Sequence, residues 1–137
     1  MSQPFLLDTC AALWIVADEI TEKTADALAQ SRRMGQSVYV SPITAWEIGM
    51  LARQGRFRSS HTPQRWFERL MAGPGVAQAE LTARILMESS FLPGRLPFDP
   101  TDRIIAATAR EFGLTVMTRD GALLDYAAQG YLGAFAC

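Results

Sequence analysis

Short apolar runs alternate with capped, helix-compatible stretches along the whole chain, and this alternation constrains the fold more than any other feature. Phe5-Leu6-Leu7 reads as a short buried strand. Residues 37–40, 76–81, 115–118 and 131–136 supply four more, the clearest being rich in β-branched and aromatic side chains. Between them lie helical stretches at residues 10–17, 22–33, 42–53, 63–71, 82–91, 100–112 and 121–128. Ala25, Leu28 and Ala29 recur at helical spacing in the second of these, and Trp66, Phe67, Leu70 and Met71 form an apolar side in the fourth. Pro42, Pro63 and Pro100 stand where a missing N–H costs nothing, in a first helical turn. Gly35, Gly55, Gly113 and Gly130 fit helix stops. Strands that alternate with helices in this way predict a parallel sheet flanked by helices.

At 137 residues the chain is expected to form one domain, spanning residues 1–137, and no repeat, low-complexity tract or linker divides it. A net charge of −1 gives no overall basic footprint for nucleic acid. Cys10 and Cys137 match neither a metal-site spacing nor a disulfide framework. No basic leader precedes the first apolar run, and no segment is long enough to span a bilayer. A cytoplasmic, thiol-reduced protein without membrane attachment is the expectation.

Four acidic residues then stand out by position. Asp8 ends the first strand, Glu47 sits in Ser41-Pro42-Ile43-Thr44-Ala45-Trp46-Glu47, Asp102 opens a helix, and Asp120 follows Val116-Met117-Thr118-Arg119. Each has a purely structural explanation. Asp8 and Asp120 suit helix N-caps, Asp99 and Asp102 suit a capping pair, and Glu47 suits a solvated helix face. Together they suggest more. Ligand sites in open α/β sheets lie beyond the carboxyl ends of the strands, where the ends before Asp8 and Asp120 can lie side by side. Carboxylates packed there would raise one another's pKa, and a divalent cation with oxygen preference, Mg²⁺ or Mn²⁺, removes the conflict. Such an ion suits phosphoryl chemistry, because it acidifies a bound water and stabilises the leaving oxygen. His61 lies in a polar loop and reads as a surface residue, so no histidine is placed as a general base.

The same residues carry a family resemblance. Leu6-Leu7-Asp8-Thr9, the stretch from Ser41 to Ile48, Pro97-Phe98-Asp99-Pro100-Thr101-Asp102-Arg103 with the helix after it, and Thr118-Arg119-Asp120 occur in an order and spacing that resemble a PIN domain. In particular the chain resembles the VapC-like toxin ribonucleases of type II (VapBC) toxin–antitoxin pairs. The resemblance implies a three-layer α/β fold with a central, mostly parallel five-stranded sheet. It implies a Mg²⁺- or Mn²⁺-dependent endoribonuclease with Asp8, Glu47, Asp102 and Asp120 as the catalytic and metal-binding residues. Thr9 and Thr118 fall at supporting hydroxyl positions, and Asp99 is a further supporting residue. A VapB-like antitoxin and a homodimer are also implied.

For the antitoxin, Trp46, Phe57, Trp66, Phe67 and Leu70 offer an aromatic docking surface, although Trp66 and Phe67 equally suit a core. Arg53, Arg56 and Arg58 cluster after the Glu47 helix and can contact RNA phosphates or simply face solvent. A receiver-like phosphoacceptor would carry paired acids after the first strand and a lysine near the last, but Thr9 and Cys10 follow Asp8, and Lys23 is the only lysine. Cys10 likewise stands where a haloacid-dehalogenase-like phosphatase needs its second aspartate. A PIN-fold nuclease with a non-toxin role in RNA processing, or a non-catalytic binding module whose acids act only as caps, is the remaining alternative.

Overall fold

The computed structural model describes residues 3–137. Every helix among them opens on a short polar side chain that accepts one of the backbone N–H groups left unpaired in a first turn. The caps are Asp8 for α1 (Thr9–Val16), Thr21 for α2 (Glu22–Arg33), Ser41 for α3 (Pro42–Arg53) and Thr62 for α4 (Pro63–Met71). Thr82 caps α5 (Ala83–Glu88), Asp99 caps α6 (Pro100–Phe112) and Asp120 caps α7 (Gly121–Ala128). A cap of this kind contributes about 0.5–2 kcal/mol. Gly113 closes α6 at φ 64°, a left-handed conformation that a Cβ would strain.

Five strands complete the order: β1 (Phe5–Leu7), β2 (Val38–Val40), β3 (Val76–Gln78), β4 (Thr115–Thr118) and β5 (Gly133–Ala136). They form one sheet in the order β3-β2-β1-β4-β5, and all four pairings are parallel, where mostly parallel was expected. Side chains alternate across the sheet. Leu7, Val40 and Met117 enter one core with α1 to α4, where Ile48, Trp66 and Leu70 meet them. Leu6, Tyr39 and Val116 face the other, with Ile85 of α5, Ile105 and Ala106 of α6, and Leu123 and Tyr126 of α7. Three layers result, helices on both faces of the sheet, as expected.

Several boundaries differ from the sequence reading. α1 begins at Thr9, because Asp8 caps it. β3 stops at Gln78, and α5 is shorter than residues 82–91: the Ser89 hydroxyl donates to the Leu86 carbonyl at 2.6 Å, and turns follow. β5 starts at Gly133, since Tyr131 stacks on Tyr126 with ring centroids 5.3 Å apart. In α2 the buried line is Thr24 and Ser31 with half-buried Leu28, whereas Ala25 and Ala29 face outward. No helix among the described residues is long and apolar enough to cross a membrane.

The chain runs outward from β1 through β2 to β3, then returns to β4 on the other side of β1. This is a topological switch point, where two neighbouring strands send their connections to opposite faces and leave a crevice at their carboxyl ends. Asp8 follows β1 directly, and Asp120 lies two residues beyond β4.

Candidate active site

The crevice is organised by two short hydrogen-bonded chains. Asp8 is nearly buried, and each of its oxygens has a donor. The Ala11 N–H donates to Oδ1 at 2.7 Å, and the fully buried Thr118 hydroxyl donates to Oδ2. Thr118 Oγ1 in turn accepts the Asp120 N–H at 2.9 Å, so one threonine ties the end of β1 to the end of β4. Asp120 Oδ1 accepts the N–H groups of Ala122 and Leu123 at 2.7 and 3.3 Å.

Glu47 is held on both oxygens. Thr9 Oγ1 donates to Oε1 at 2.5 Å and lies 3.1 Å from the Thr44 hydroxyl, buried one helical turn before Glu47. Because Thr9 has one hydroxyl proton and it goes to Glu47, Thr44 is the donor in the second contact. On the other side, Thr101 Oγ1 lies 3.3 Å from Glu47 Oε2 and 2.8 Å from Asp99 Oδ1. Asp99 also accepts the Thr101 N–H at 2.9 Å. Asp102 lies within electrostatic reach of Asp120, Asp99 and Asp8.

Electrostatics follow from this crowding. Burial pushes Asp102 up to about 8, with the charges of Asp120, Asp99 and Asp8 adding to it. Burial likewise raises Asp8, against the hydrogen bonds from Thr118 and Ala11 and with the charge of Asp120. Glu47 is raised by burial, opposed by the Thr9 and Thr101 hydroxyls and helped by Asp99 and Asp8. Cys10 lies on the exposed rim, yet its thiol is pushed up to about 11 by desolvation and then by Asp8, Glu47, Asp120 and Asp102 in turn. Arg119, beside Asp120, turns away: its guanidinium lies 3.7 Å from the Trp14 ring centroid and donates to the Cys137 carbonyl at 2.6 Å. Ion pairs among the described residues are Arg84 with Glu88 and Glu111, and Arg95 with Asp125, none of which includes the four acids.

A crowded set of carboxylates with raised pKa values and no paired cation fits a hard divalent ion better than any neutral ligand. Among the described residues no three acidic, histidine or cysteine side chains form a ready-made cage.

The remaining candidates are dispersed. Trp46 is 55% exposed next to Glu47. Trp66 and Leu70 are buried in the core, with Phe57 packed edge-on to Trp66 at 5.9 Å and Phe67 half-buried beside them. Arg53, Arg56 and Arg58 are exposed, and His61 is half-buried. Thr44 and Thr101 escaped the sequence reading. Their signal was a threonine one turn ahead of Glu47, and another wedged between Asp99 and Asp102.

The PIN domain family matches residues 5–129. The chain belongs to that family, among its VapC-like members. It is 30% identical over 121 residues to ribonuclease VapC22 of Mycobacterium tuberculosis (strain ATCC 25618 / H37Rv), a match that covers 88% of this chain and 90% of that one. Among solved structures, VapBC2 from Rickettsia felis, bound to a DNA fragment from its promoter, superposes with a TM-score of 0.70 at 13% identity, covering 96% of both chains. FitAcB from Neisseria gonorrhoeae gives a TM-score of 0.56 at 25% identity, again covering 96% of both.

Proposed function

We propose that the chain is a divalent-metal-dependent endoribonuclease, acting as the toxin of a toxin–antitoxin pair and hydrolysing RNA phosphodiester bonds. The observation that carries this reading is the gathering of Asp8, Glu47, Asp102 and Asp120 at the switch point, where burial and neighbouring acids raise Asp8, Glu47 and Asp102. Kinship with a protein named as a ribonuclease supports the choice of RNA. Asp8, Glu47, Asp102 and Asp120 would hold Mg²⁺ or Mn²⁺. When bound, such an ion polarises the phosphate and acidifies the attacking water. The chain's own part is to fix the acids. Thr118 orients Asp8, Thr9 and Thr101 orient Glu47, and the N–H groups of α7 orient Asp120.

Likeness of fold to VapBC and FitAB structures supports a VapB-like antitoxin as partner. Its docking surface is assigned to Trp46, Phe57 and Phe67, with Trp66 and Leu70 as the buried support beneath. A homodimer is part of the same reading.

The test is controlled expression without antitoxin, comparing the wild type with Asp8→Asn while following growth and total RNA. Asparagine keeps the cap on α1 but removes the charge. The wild type should arrest growth and release discrete RNA fragments. The variant should remain folded and lose activity by more than the ~100-fold that outer-shell partners typically cost. Equal behaviour of the two would remove the basis for catalysis at this site.

A further inference from the structure

Beside the acids, a cavity of about 400 Å³ runs between α1 and α3, lined by Thr9, Glu47, Trp46, Met50 and Arg56 among others. A second cavity, of about 500 Å³, shares Leu13, Leu51 and Arg56 with the first and continues past Phe57 to Arg58 and Arg69. The two make one trench. It begins at Glu47 and Asp99 and ends among arginines, and α3 from Glu47 to Arg53 sets the length of its first part. Seven residues of helix give about 10 Å, the rise of about three stacked bases. Glu19 is the one acid lining the second cavity, against Arg56, Arg58 and Arg69. Arg53, although exposed, lines neither cavity, and Arg69 was not among the arginines singled out from the sequence.

Trp46 stands at the acidic end with more than half its surface in water. An indole left open there has one recurrent use in nucleic-acid proteins, as a platform for an unpaired base. A duplex offers no free base face, so the platform selects single strands. The arginines at the other end match a phosphate backbone by charge.

We propose that a single-stranded RNA segment lies in this trench, with a base stacked on Trp46 beside the cleaved phosphate and backbone phosphates on Arg56, Arg58 and Arg69. The proposal rests on the ribonuclease reading and adds to it a strand preference and a specificity-determining residue. Because Trp46 also belongs to the assigned antitoxin surface, RNA and antitoxin compete for the trench.

The test uses Asp8→Asn as a non-cleaving background and a fluorescein-labelled 12-nucleotide RNA, single-stranded or in a blunt duplex. The single strand should bind more tightly and quench tryptophan fluorescence. Trp46→Ala in that background should weaken binding about tenfold or more, and Trp46→Phe should restore most of it. Arg58→Ala should lower the salt slope by about 0.7, the share of one phosphate on a single strand. In the active protein, Trp46→Ala should raise KM more than it lowers kcat. If the wild type cleaves RNA with Mg²⁺ but Trp46→Ala binds and cleaves like it, the trench belongs to a polypeptide and this inference fails alone. If the wild type cleaves no RNA, the ribonuclease reading fails first.

Discussion

At the scale of single residues, threonine hydroxyls decide how the acids are held. Thr101 is the most informative, because it touches Asp99 and Glu47 with one proton. Thr101→Val keeps the shape and removes the hydroxyl. Loss of such a supporting contact typically costs about 10- to 100-fold in metal affinity or activity. Mn²⁺ binding measured by calorimetry should weaken on that scale, and Thr101→Ser should recover it. Equal Mn²⁺ affinity in the valine variant would leave Thr101 as a helix residue only. Asp102 makes a second prediction, about pH. Its folded pKa, about 8, lies above the ordinary 3.8, so the folded protein holds a proton that the unfolded chain releases. The stability this contributes is fully present below about pH 4 and is lost as pH rises through 8. Melting temperature without divalent ions should therefore fall over that interval once other groups are accounted for by Asp102→Asn, which should flatten the fall. Mg²⁺ should restore the wild type most at the alkaline end. A wild-type profile that overlays the Asp102→Asn profile would refute this assignment.

At the scale of elements, the legible features were those written in local chemistry. Among the described residues the seven helices and five strands appear where caps, prolines, glycines and apolar runs put them, with ends shifted by a few residues, because each signal acts locally. Asp8, Asp99 and Asp120 are caps, as their structural explanation held, and a capping carboxylate keeps an oxygen lone pair for another partner. What the sequence hid was tertiary. The buried face of α2 runs through Thr24 and Ser31, with Leu28 half-buried between them, and not through the alanines that mark helical spacing. Trp46 and Trp66 lie within one chemically similar stretch, yet one is open to water and the other sits in the core. Thr44 matters only because α3 approaches α1, and Thr101 only because α6 approaches α3, and no local pattern records either approach.

At the scale of the whole molecule, the surface carries a feature that one copy leaves unexplained. Leu86 and Met87 on α5, and Phe91 just after it, are 43, 64 and 85% exposed, and Phe98, one residue before Asp99, is 92% exposed. Single exposed apolar residues are ordinary, but large ones gathered in one stretch of chain mark an interaction surface. A standard interface needs about 800 Å² per partner, a tenth of the 7829 Å² that this chain exposes. The homodimer of the proposed function would bring a second copy onto this stretch. Light scattering behind size-exclusion chromatography should give twice the 15.1 kDa chain mass for the wild type and the single mass for Met87→Asp/Phe91→Asp. The variant's melting temperature at low concentration should match that of the dissociated wild type, because both side chains touch mainly solvent within one copy. A wild type that stays monomeric at high micromolar concentration, or a double variant that still dimerises, would move the interface elsewhere and leave Met87 and Phe91 free for another partner.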